Sequence, residues 1–286
     1  MKLVRWGEQG RERPGVVTAD GVRLDVSAFA PDFDAAFFQD DGLSRLGRWL
    51  AEHAAAAPRV DLGVRLGPPV ARPSKIVCVG LNYRDHAAET NMTIPPEPVL
   101  FLKAPSALAG PNDPVVIPRG GGKLDWEVEL AVIIGHTARY VPVQRAADCV
   151  AGYALHNDYS ERGFQLERGG QWTKGKSADS FAPLGPFLVT QDEVPDPGRL
   201  DMWLTVNGQP RQRSNTAKMI FGVAALVSYI SQFMTLEPGD IISTGTPAGV
   251  GLGQRPPRYL EVGDVVSLGI ERLGTASQRV VASPAS

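Results

Sequence analysis

The sequence predicts a β-rich α+β fold, and three observations support that class. Short apolar runs with strand character recur along the chain, and the plentiful but dispersed glycines (31) and prolines (24) place turns between them. Two longer stretches have the apolar spacing of a helix. Strands and helices do not alternate regularly, which argues against a doubly wound sheet and favours a β-rich roll or sandwich.

Residues 1–70 are predicted to form a small N-terminal domain, and residues 71–286 a larger second domain. The small domain has predicted strands at 3–6, 16–18 and 22–26, and an amphipathic helix at 43–57. A proline-rich connector at 67–73 cannot be helical, so it marks the boundary.

The larger domain is predicted to consist of strands and one helix. The helix is expected over 217–234, where apolar residues recur on one side, and it ends before the turn at 237–240. Asn207-Gly208, after the predicted strand 202–206, is the strongest hairpin signal in the chain. Further strands are predicted at 76–80, 115–117, 130–134, 152–156 and 240–243, with a strand and turn over 262–268.

The composition argues against several classes of protein. With 29 Lys and Arg against 31 Asp and Glu, the formal net charge is -2, so no basic excess points to nucleic acid or an anionic membrane. No apolar run approaches the ~20 residues of a membrane span, and the N-terminus lacks the apolar core of a signal peptide. Cys78 and Cys149 are predicted to be packed free thiols, as in a reducing compartment. We therefore expect a cytoplasmic protein.

The most informative feature is a pair of glutamates inside an apolar run. Glu127 and Glu129 are two residues apart in a segment that reads as a buried strand, so their side chains share one face. A third carboxylate, Asp158, follows the predicted strand 152–156. Three carboxylates without sulfur or imidazole favour Mg²⁺ or Mn²⁺ over zinc, and Ca²⁺ stays open. The alternatives are a solvated edge strand for the glutamates and a cap or turn for Asp158.

Three other segments carry candidate functional residues. His86 and Glu89 are one helical turn apart, so the carboxylate could orient an imidazole acting as general base; the alternative is a solvated helical turn. The following segment, 91–98, is a candidate flap.

The second segment, 170–177, matches the phosphate-binding loop expression, but it lacks the preceding strand and following helix that such a loop needs. Lys176 within it is better placed to stabilise a developing enolate near a metal. The third, the glycine-rich loop 244–253, could present backbone N–H groups to a ligand carboxylate or form a structural turn.

Taken together, these residues resemble the fumarylacetoacetate hydrolase family. The matching pieces occur in the family's order and cover roughly 75–281. They are Val79-Gly80-Leu81-Asn82-Tyr83, His86, Glu89, Asp125-Trp126-Glu127-Val128-Glu129, Asn157-Asp158, Gln165, Trp172, Gly175-Lys176, Pro183-Leu184-Gly185-Pro186 and Thr244-Gly245-Thr246-Pro247.

The resemblance implies a fold, a cofactor and roles for individual residues. The fold is a mixed β-sandwich roll of the fumarylacetoacetate hydrolase C-terminal type, preceded by a small N-terminal α+β domain. The metal, Mg²⁺ or Mn²⁺, would be held by Glu127, Glu129 and Asp158. The implied catalytic residues are His86, Glu89 and Lys176, and the implied substrate-binding residues are Asn82, Tyr83, Arg162, Gln165 and Thr246. A homodimer is also implied.

The run 161–176 is most similar to the bacterial subgroup that acts on 2,4-diketo-3-deoxy sugar acids, whose members are often labelled ureidoglycolate lyase. Leu81 stands where the acylpyruvase branch has arginine, which argues against simple acylpyruvates and oxaloacetate decarboxylation. We therefore predict Mg²⁺-dependent C–C hydrolysis of a 2,4-diketo acid, such as 2,4-diketo-3-deoxy-L-rhamnonate, to pyruvate and a hydroxy acid. The alternatives are oxaloacetate tautomerisation or isomerisation of an unsaturated dicarboxylate through the same enolate, and a metal-binding protein without catalysis.

Overall fold

The computed structural model describes residues 1–89 and 93–284. Its strands are β1 (Lys2–Trp6), β2 (Arg13–Val17), β3 (Arg23–Asp25), β4 (Leu66–Gly67), β5 (Ile76–Gly80), β6 (Val99–Lys103), β7 (Leu108–Ala109), β8 (Val115–Ile117), β9 (Leu124–Asp125), β10 (Val128–Ile134), β11 (Val150–Asn157), β12 (Ser160–Glu161), β13 (Ala182–Pro183), β14 (Leu188–Thr190), β15 (Asp201–Val206), β16 (Gln209–Asn215), β17 (Ile241–Ser243), β18 (Val265–Ile270) and β19 (Gly274–Ala282).

The α-helices are few and short: α1 (Ala35–Gln39), α2 (Gly42–His53), α3 (Arg84–Glu89), α4 (Arg162–Leu166), α5 (Thr173–Lys176) and α6 (Val223–Ile230). Short 3₁₀ helices occupy Pro105–Ala107, Val143–Cys149, Gln191–Glu193, Thr216–Lys218 and Gly251–Gly253. The predicted β-rich α+β class is confirmed. Among the described residues, no helix has the length and apolar character to cross a membrane.

Two sheets organise the fold. The larger has the order β3-β2-β1-β14-β11-β10-β17-β5-β6, with β4 attached to β1; the smaller has the order β16-β15-β18-β19-β8. Every residue of β10 and β11 is buried, which explains their nearly continuous apolar sequences. Side chains at the ends of these two central strands therefore lie in the protein interior.

The N-terminal strands belong to the same large sheet as the central strands. β1 pairs antiparallel with β14, with Lys2 opposite Val189 and Leu3 opposite Leu188. The domain boundary near residue 70 stays a prediction. Helix α2 ends at His53, four residues before the predicted end at 57. Residues 54–57 form a turn and a bend instead, and Pro58 disfavours the helical conformation at Ala57.

The prediction of one continuous helix over 217–234 was wrong. The segment forms the 3₁₀ turn Thr216–Lys218 and the shorter helix α6, with Gly222 as the N-cap. Between them, the backbone N–H groups of Ile220 and Phe221 donate to the carbonyl and side-chain oxygens of Asn82, each across 2.8 Å. These bonds hold 220–221 out of the helix, so a tertiary contact overrides the apolar periodicity.

The hairpin prediction at Asn207-Gly208 was correct. The two residues join β15 to β16 and have φ angles of 52° and 75°. Positive φ at both central positions matches the strand twist of a two-residue hairpin. The hairpin lies in the smaller sheet, whose Gln212 reaches back toward the end of β10 by accepting a bond from Val128 N at 2.9 Å.

Candidate metal centre

Strands β10 and β11 bring the three predicted carboxylates together. Glu127 lies just before β10, Glu129 is its second residue, and Asp158 follows β11. The strands are antiparallel neighbours, and Asp158 N donates to Glu127 O across 2.9 Å. One oxygen from each carboxylate lies within 4.8 Å of the others. Glu127 and Glu129 are only 5% and 2% exposed, so the alternative of a solvated edge strand is wrong.

Three buried cations surround this carboxylate triad. Lys176 Nζ donates to Glu127 Oε2 and to Asp158 Oδ2, each across 2.8 Å. Lys103 Nζ donates to the other oxygen of Asp158 across 2.5 Å, and Arg162 Nη2 donates to Glu127 Oε1 across 2.6 Å. Lys103 was missed by the sequence interpretation, although its position at the end of the apolar run 99–102 is a usable signal.

The charges of the cluster do not balance. Arg162 also pairs with buried Asp125, so four carboxylates face three cations in this cluster. Within the described chain, no ion pair includes Glu129, which accepts bonds from the Ser243 hydroxyl at 2.5 Å and Gly245 N at 2.8 Å. The uncompensated negative charge therefore falls on Glu129.

The pKa shifts follow this distribution of charge. Burial opposes ionisation of Glu127 and Asp158, but the adjacent cations outweigh it and lower the pKa of both groups. Burial, followed by the charges of Asp158 and Glu127, raises the pKa of Glu129 well above its usual range. Burial opposes the charge of Lys176, yet Asp158 and Glu127 raise its pKa. Of the three carboxylates, Glu129 is the one whose pKa is raised, and a cation bound beside it would stabilise its ionised form.

The donor set fits a hard divalent cation. One oxygen from each of the three carboxylates, all within 4.8 Å of one another, can converge on a single ion with metal–oxygen bonds of about 2.1 Å. Oxygen donors alone suit Mg²⁺, Mn²⁺ or Ca²⁺ rather than zinc. The residues that would hold the ion are Glu127, Glu129 and Asp158.

A buried histidine orients Glu129 through a hydroxyl group. Because the Ser243 hydroxyl donates to Glu129, it accepts from His156 Nδ1, which lies 2.7 Å away. This arrangement fixes the proton of His156 on Nδ1. Burial lowers the pKa of His156 to about 3, so its imidazole is neutral at physiological pH.

His86 and Glu89 lie on α3, as predicted, at the mouth of the same site. His86 Nδ1 is 3.5 Å from Glu89 Oε2. Burial opposes the charge of Glu89, but His86 and the Gly249 amide outweigh it and lower its pKa. The carboxylate therefore stays ionised beside the imidazole. Of the predicted flap at 91–98, residues 91 and 92 lie outside the described residues, and 93–98 form neither helix nor strand.

The glycine-rich loop donates several of its amides to the protein's own carboxylates, as its structural-turn alternative expects. Gly245 N donates to Glu129, Gly249 N donates to both oxygens of Glu89 at 3.1 Å, and Gly251 N donates to Asp125 at 2.7 Å. Gly245 adopts φ +99°, and a Cβ there would lie 2.8 Å from the Cβ of Asn82. Glycine is required at this position by both conformation and space.

Lys176 owes its position to a close approach of two short helices. A Cβ on Gly175 of α5 would lie 2.5 Å from the backbone nitrogen of Gln165 on α4. Only glycine permits this contact, which places Lys176 and Gln165 side by side over the carboxylates. Gln165 Oε1 accepts a bond from Arg162 Nη1 across 2.9 Å.

The site opens into a cavity of about 50 Å³. Its wall includes seven of the predicted site residues: His86, Glu127, Glu129, Arg162, Gln165, Lys176 and Thr246. Asn82 and Tyr83 are not on this wall. The Asn82 amide donates to Phe221 O and Thr244 O at 3.0 and 2.8 Å, and Tyr83 is fully buried with its hydroxyl 3.3 Å from Met202 Sδ. The structure thus gives these two side chains structural contacts.

Comparison with known proteins assigns the chain to a family. The model of the fumarylacetoacetate (FAA) hydrolase C-terminal family matches residues 75–281. A Burkholderia lata protein, named in general terms as a hydrolase, is 52% identical over 279 residues, which are 97% of this chain and 98% of that protein.

Two solved structures are similar over the whole chain. A fumarylacetoacetate hydrolase from Exiguobacterium antarcticum has a TM-score of 0.87 and 39% identity, and the match covers 99% of this chain and 100% of that one. A maleylpyruvate hydrolase from Sphingobium sp. SYK-6, in complex with manganese(II) and pyruvate, has a TM-score of 0.83 and 32% identity with the same coverage. With a family model matched over more than half of its length, this chain belongs to the fumarylacetoacetate hydrolase family.

Proposed function

We propose that the protein hydrolyses a C–C bond in a 2,4-diketo acid and releases pyruvate, with a divalent cation as cofactor. The observation that carries the proposal is the composition of one small cavity. Its wall includes Glu127 and Glu129 of the carboxylate triad, the buried Lys176, and His86, whose imidazole pairs with Glu89 behind it. These are the groups needed to bind a keto acid, activate water and stabilise an enolate.

When bound, the cation would act as a Lewis acid toward the keto acid and offset its developing negative charge. His86 Nδ1 faces Glu89, so Nε2 is the nitrogen that would accept a proton from the attacking water. The water oxygen bonds to C4, and the electron pair of the C3–C4 bond moves to the pyruvate fragment as an enolate. Lys176 supplies fixed positive charge to that enolate. The proton held by His86 then returns to C3, giving pyruvate and a carboxylic acid.

Mg²⁺ is the cation we propose, with Mn²⁺ as the alternative that the manganese-bound Sphingobium protein favours. The pyruvate in that complex also supports pyruvate as a product here. On the resemblance of 161–176, 2,4-diketo-3-deoxy-L-rhamnonate, which would give pyruvate and lactate, is one candidate substrate. A homodimer and a cytoplasmic location stay predictions.

The proposal is tested by coupling pyruvate release to lactate dehydrogenase in the presence of Mg²⁺. Asp158→Asn and Glu127→Gln should each abolish turnover of a diketo acid that the wild type cleaves. Glu167→Gln, which removes an exposed carboxylate outside the cavity, is the matched control and should retain activity. Unchanged turnover in Asp158→Asn would contradict the proposal.

The tautomerase or isomerase alternative uses the same enolate but needs no attacking water. His86→Ala should therefore abolish hydrolysis, whereas enol–keto interconversion of oxaloacetate, followed by absorbance, would survive if tautomerisation were the true activity. Titration calorimetry with oxalate, an enolate mimic, addresses the non-catalytic alternative. Absence of oxalate binding to the Mg²⁺-loaded protein would favour a metal-binding role alone.

A further inference from the structure

The helix that carries His86 is too short to fix its own position. Helix α3 has six residues, Arg84–Glu89, and isolated helices of fewer than ~12–15 residues are marginal in water. The residue before it is anchored, because Tyr83 is fully buried and its carbonyl oxygen accepts a bond from Ala87 N across 3.0 Å. Beyond that point, the contacts that the α3 side chains make with other segments decide where the imidazole of His86 lies.

Two carboxylates attach one face of α3 to the rest of the protein. Asp85 and Glu89 are four residues apart, so their side chains lie on the same face of the helix. Glu89 accepts bonds from Gly249 N. Oδ2 of Asp85 accepts bonds from Ser214 Oγ and Lys218 Nζ, each across 3.0 Å. A helix held at two points on one face cannot turn about its own axis.

The partners of Asp85 belong to three segments outside the helix. Ser214 lies on β16, Lys218 lies in the 3₁₀ helix that follows it, and Ala248 N of the glycine-rich loop is 3.5 Å from Asp85 Oδ1. Burial opposes ionisation of Asp85, but the bonds from Lys218 and Ser214 outweigh it and lower its pKa. Asp85 is therefore charged at neutral pH and joins α3 to the smaller sheet.

Both attachments act directly on the histidine. The backbone nitrogen of His86 donates to Oδ1 of Asp85 across 2.9 Å, and its ring Nδ1 lies 3.5 Å from Glu89 Oε2. Glu89 thus contacts the imidazole ring, whereas Asp85 contacts the backbone from which the ring projects. His86 lines the catalytic cavity and Asp85 does not, so Asp85 can influence the reaction only through the position of its neighbour.

We propose that Asp85 is a positioning residue for His86, and that its bond to Ser214 holds α3 where the imidazole reaches the attacking water. This inference rests on the proposed function, because it takes His86 as the base that activates water. A displacement of about 1 Å in a reacting group can cost about 100-fold in rate. The bond between Asp85 and Ser214 should therefore contribute to turnover, although neither residue touches the substrate.

The kinetic test measures pyruvate release at saturating and limiting diketo acid. Asp85→Ala should lower kcat by about 10–100-fold and leave KM unchanged, because only the base is displaced. Ser214→Ala, which alters no residue of α3, should lower kcat by a smaller factor. Asp148→Ala removes a carboxylate that pairs with exposed Arg145 just before β11, and as the matched control it should leave both constants unchanged.

Two outcomes of the kinetic test would overturn the proposal. The first is an unchanged kcat in Asp85→Ala. The second is a reduced kcat in Asp85→Ala with full turnover in Ser214→Ala, because Asp85 would then act only within its own helix. The double variant supplies a further check: its kcat should be no lower than that of Asp85→Ala, since both substitutions break the same contact.

Hydrogen exchange and metal binding supply readouts that do not depend on the substrate. The amides of residues 84–89 should exchange faster in Asp85→Ala and Ser214→Ala than in the wild type or Asp148→Ala. The Kd for Mn²⁺ should stay the same in all four proteins. Equal exchange in Asp85→Ala and the wild type, or a raised Kd in Asp85→Ala, would overturn the inference. Absence of pyruvate release by the wild type would instead overturn the proposed function.

Discussion

The ammonium group of Lys103 lies 2.5 Å from Oδ1 of Asp158, and neither side chain has any exposure to solvent. The same nitrogen donates to Tyr159 O across 3.1 Å. Lys103 therefore lies behind a predicted metal ligand and fixes its orientation, while Lys176 holds the other oxygen of that ligand.

Lys103→Met should destabilise the protein by about 3–5 kcal/mol, because it leaves a buried carboxylate with one cation fewer. Urea unfolding of the metal-free protein measures the change in the free energy of unfolding. Lys123→Met removes an exposed lysine that pairs with Glu167, and it should leave that free energy unchanged within error. Equal effects of the two substitutions would contradict the role given to Lys103.

Glu129→Gln should separate metal affinity from stability. In the metal-free protein the substitution removes the one charge of the cluster without an ion-pair partner, so the free energy of unfolding should not fall. Loss of the negative charge of this ligand should raise the Kd for Mn²⁺ by at least about 10-fold, because substitution even of residues that only orient metal ligands costs about 10–100-fold in affinity. Calorimetric titration with Mn²⁺ and thermal unfolding with a chelator provide the two readouts. If the metal-free variant were less stable than the wild type and its Mn²⁺ affinity were unchanged, both expectations would be contradicted.

Gly175→Ala should destabilise the protein by about 1–3 kcal/mol, because the added methyl group overlaps the backbone of Gln165. It should also lower kcat, since Lys176 follows directly. Gly47→Ala is the control: a Cβ there meets nothing within 4 Å, and alanine favours the interior of α2 by about 0.5–1 kcal/mol. Chemical denaturation and pyruvate release would show whether only Gly175→Ala loses stability and turnover.

His156 should contribute a defined pH dependence. Its pKa is about 3 in the folded protein against an ordinary value of 6.5, so the unfolded chain binds the proton more readily. The neutral His156 imidazole therefore contributes to the free energy of unfolding. That contribution is complete above pH 6.5 and is lost as pH falls toward 3, by up to about 1.4 kcal/mol per pH unit. Urea midpoints of the metal-free wild type and His156→Gln, compared at pH 7 and pH 5, should show the wild type losing its advantage at pH 5. A constant difference would argue against this titration.

Much of the site could be predicted from local sequence. The period of a strand was enough to predict that Glu127 and Glu129 share one face. The rule that functional groups often follow strand ends was enough to predict Asp158 as a third member of the site. The pairing of His86 with Glu89 required only the helical period. These are short-range patterns, and the structure brings all five side chains to one place.

The remaining features depend on contacts between distant segments. Lys103 is 55 residues from Asp158, and no local pattern ties them together. The interruption of the predicted helix at 220–221 comes from Asn82, which lies 139 residues from Phe221. The family resemblance implies that the Asn82 side chain binds substrate, and in the structure its amide donates to the backbone carbonyls of Phe221 and Thr244. Its role toward substrate stays a prediction.

The glycine-rich loop has a consequence for how the chain can vary. The amide of Gly245 donates to Glu129, a predicted ligand of the cation. The amide of Gly249 donates to Glu89, the carboxylate that pairs with His86. Five residues thus set the separation between the group that anchors the cofactor and the group that orients the base. The number of residues in this segment therefore matters more than the identity of their side chains. An inserted residue would displace one carboxylate relative to the other, so we expect relatives with this activity to keep the segment at constant length.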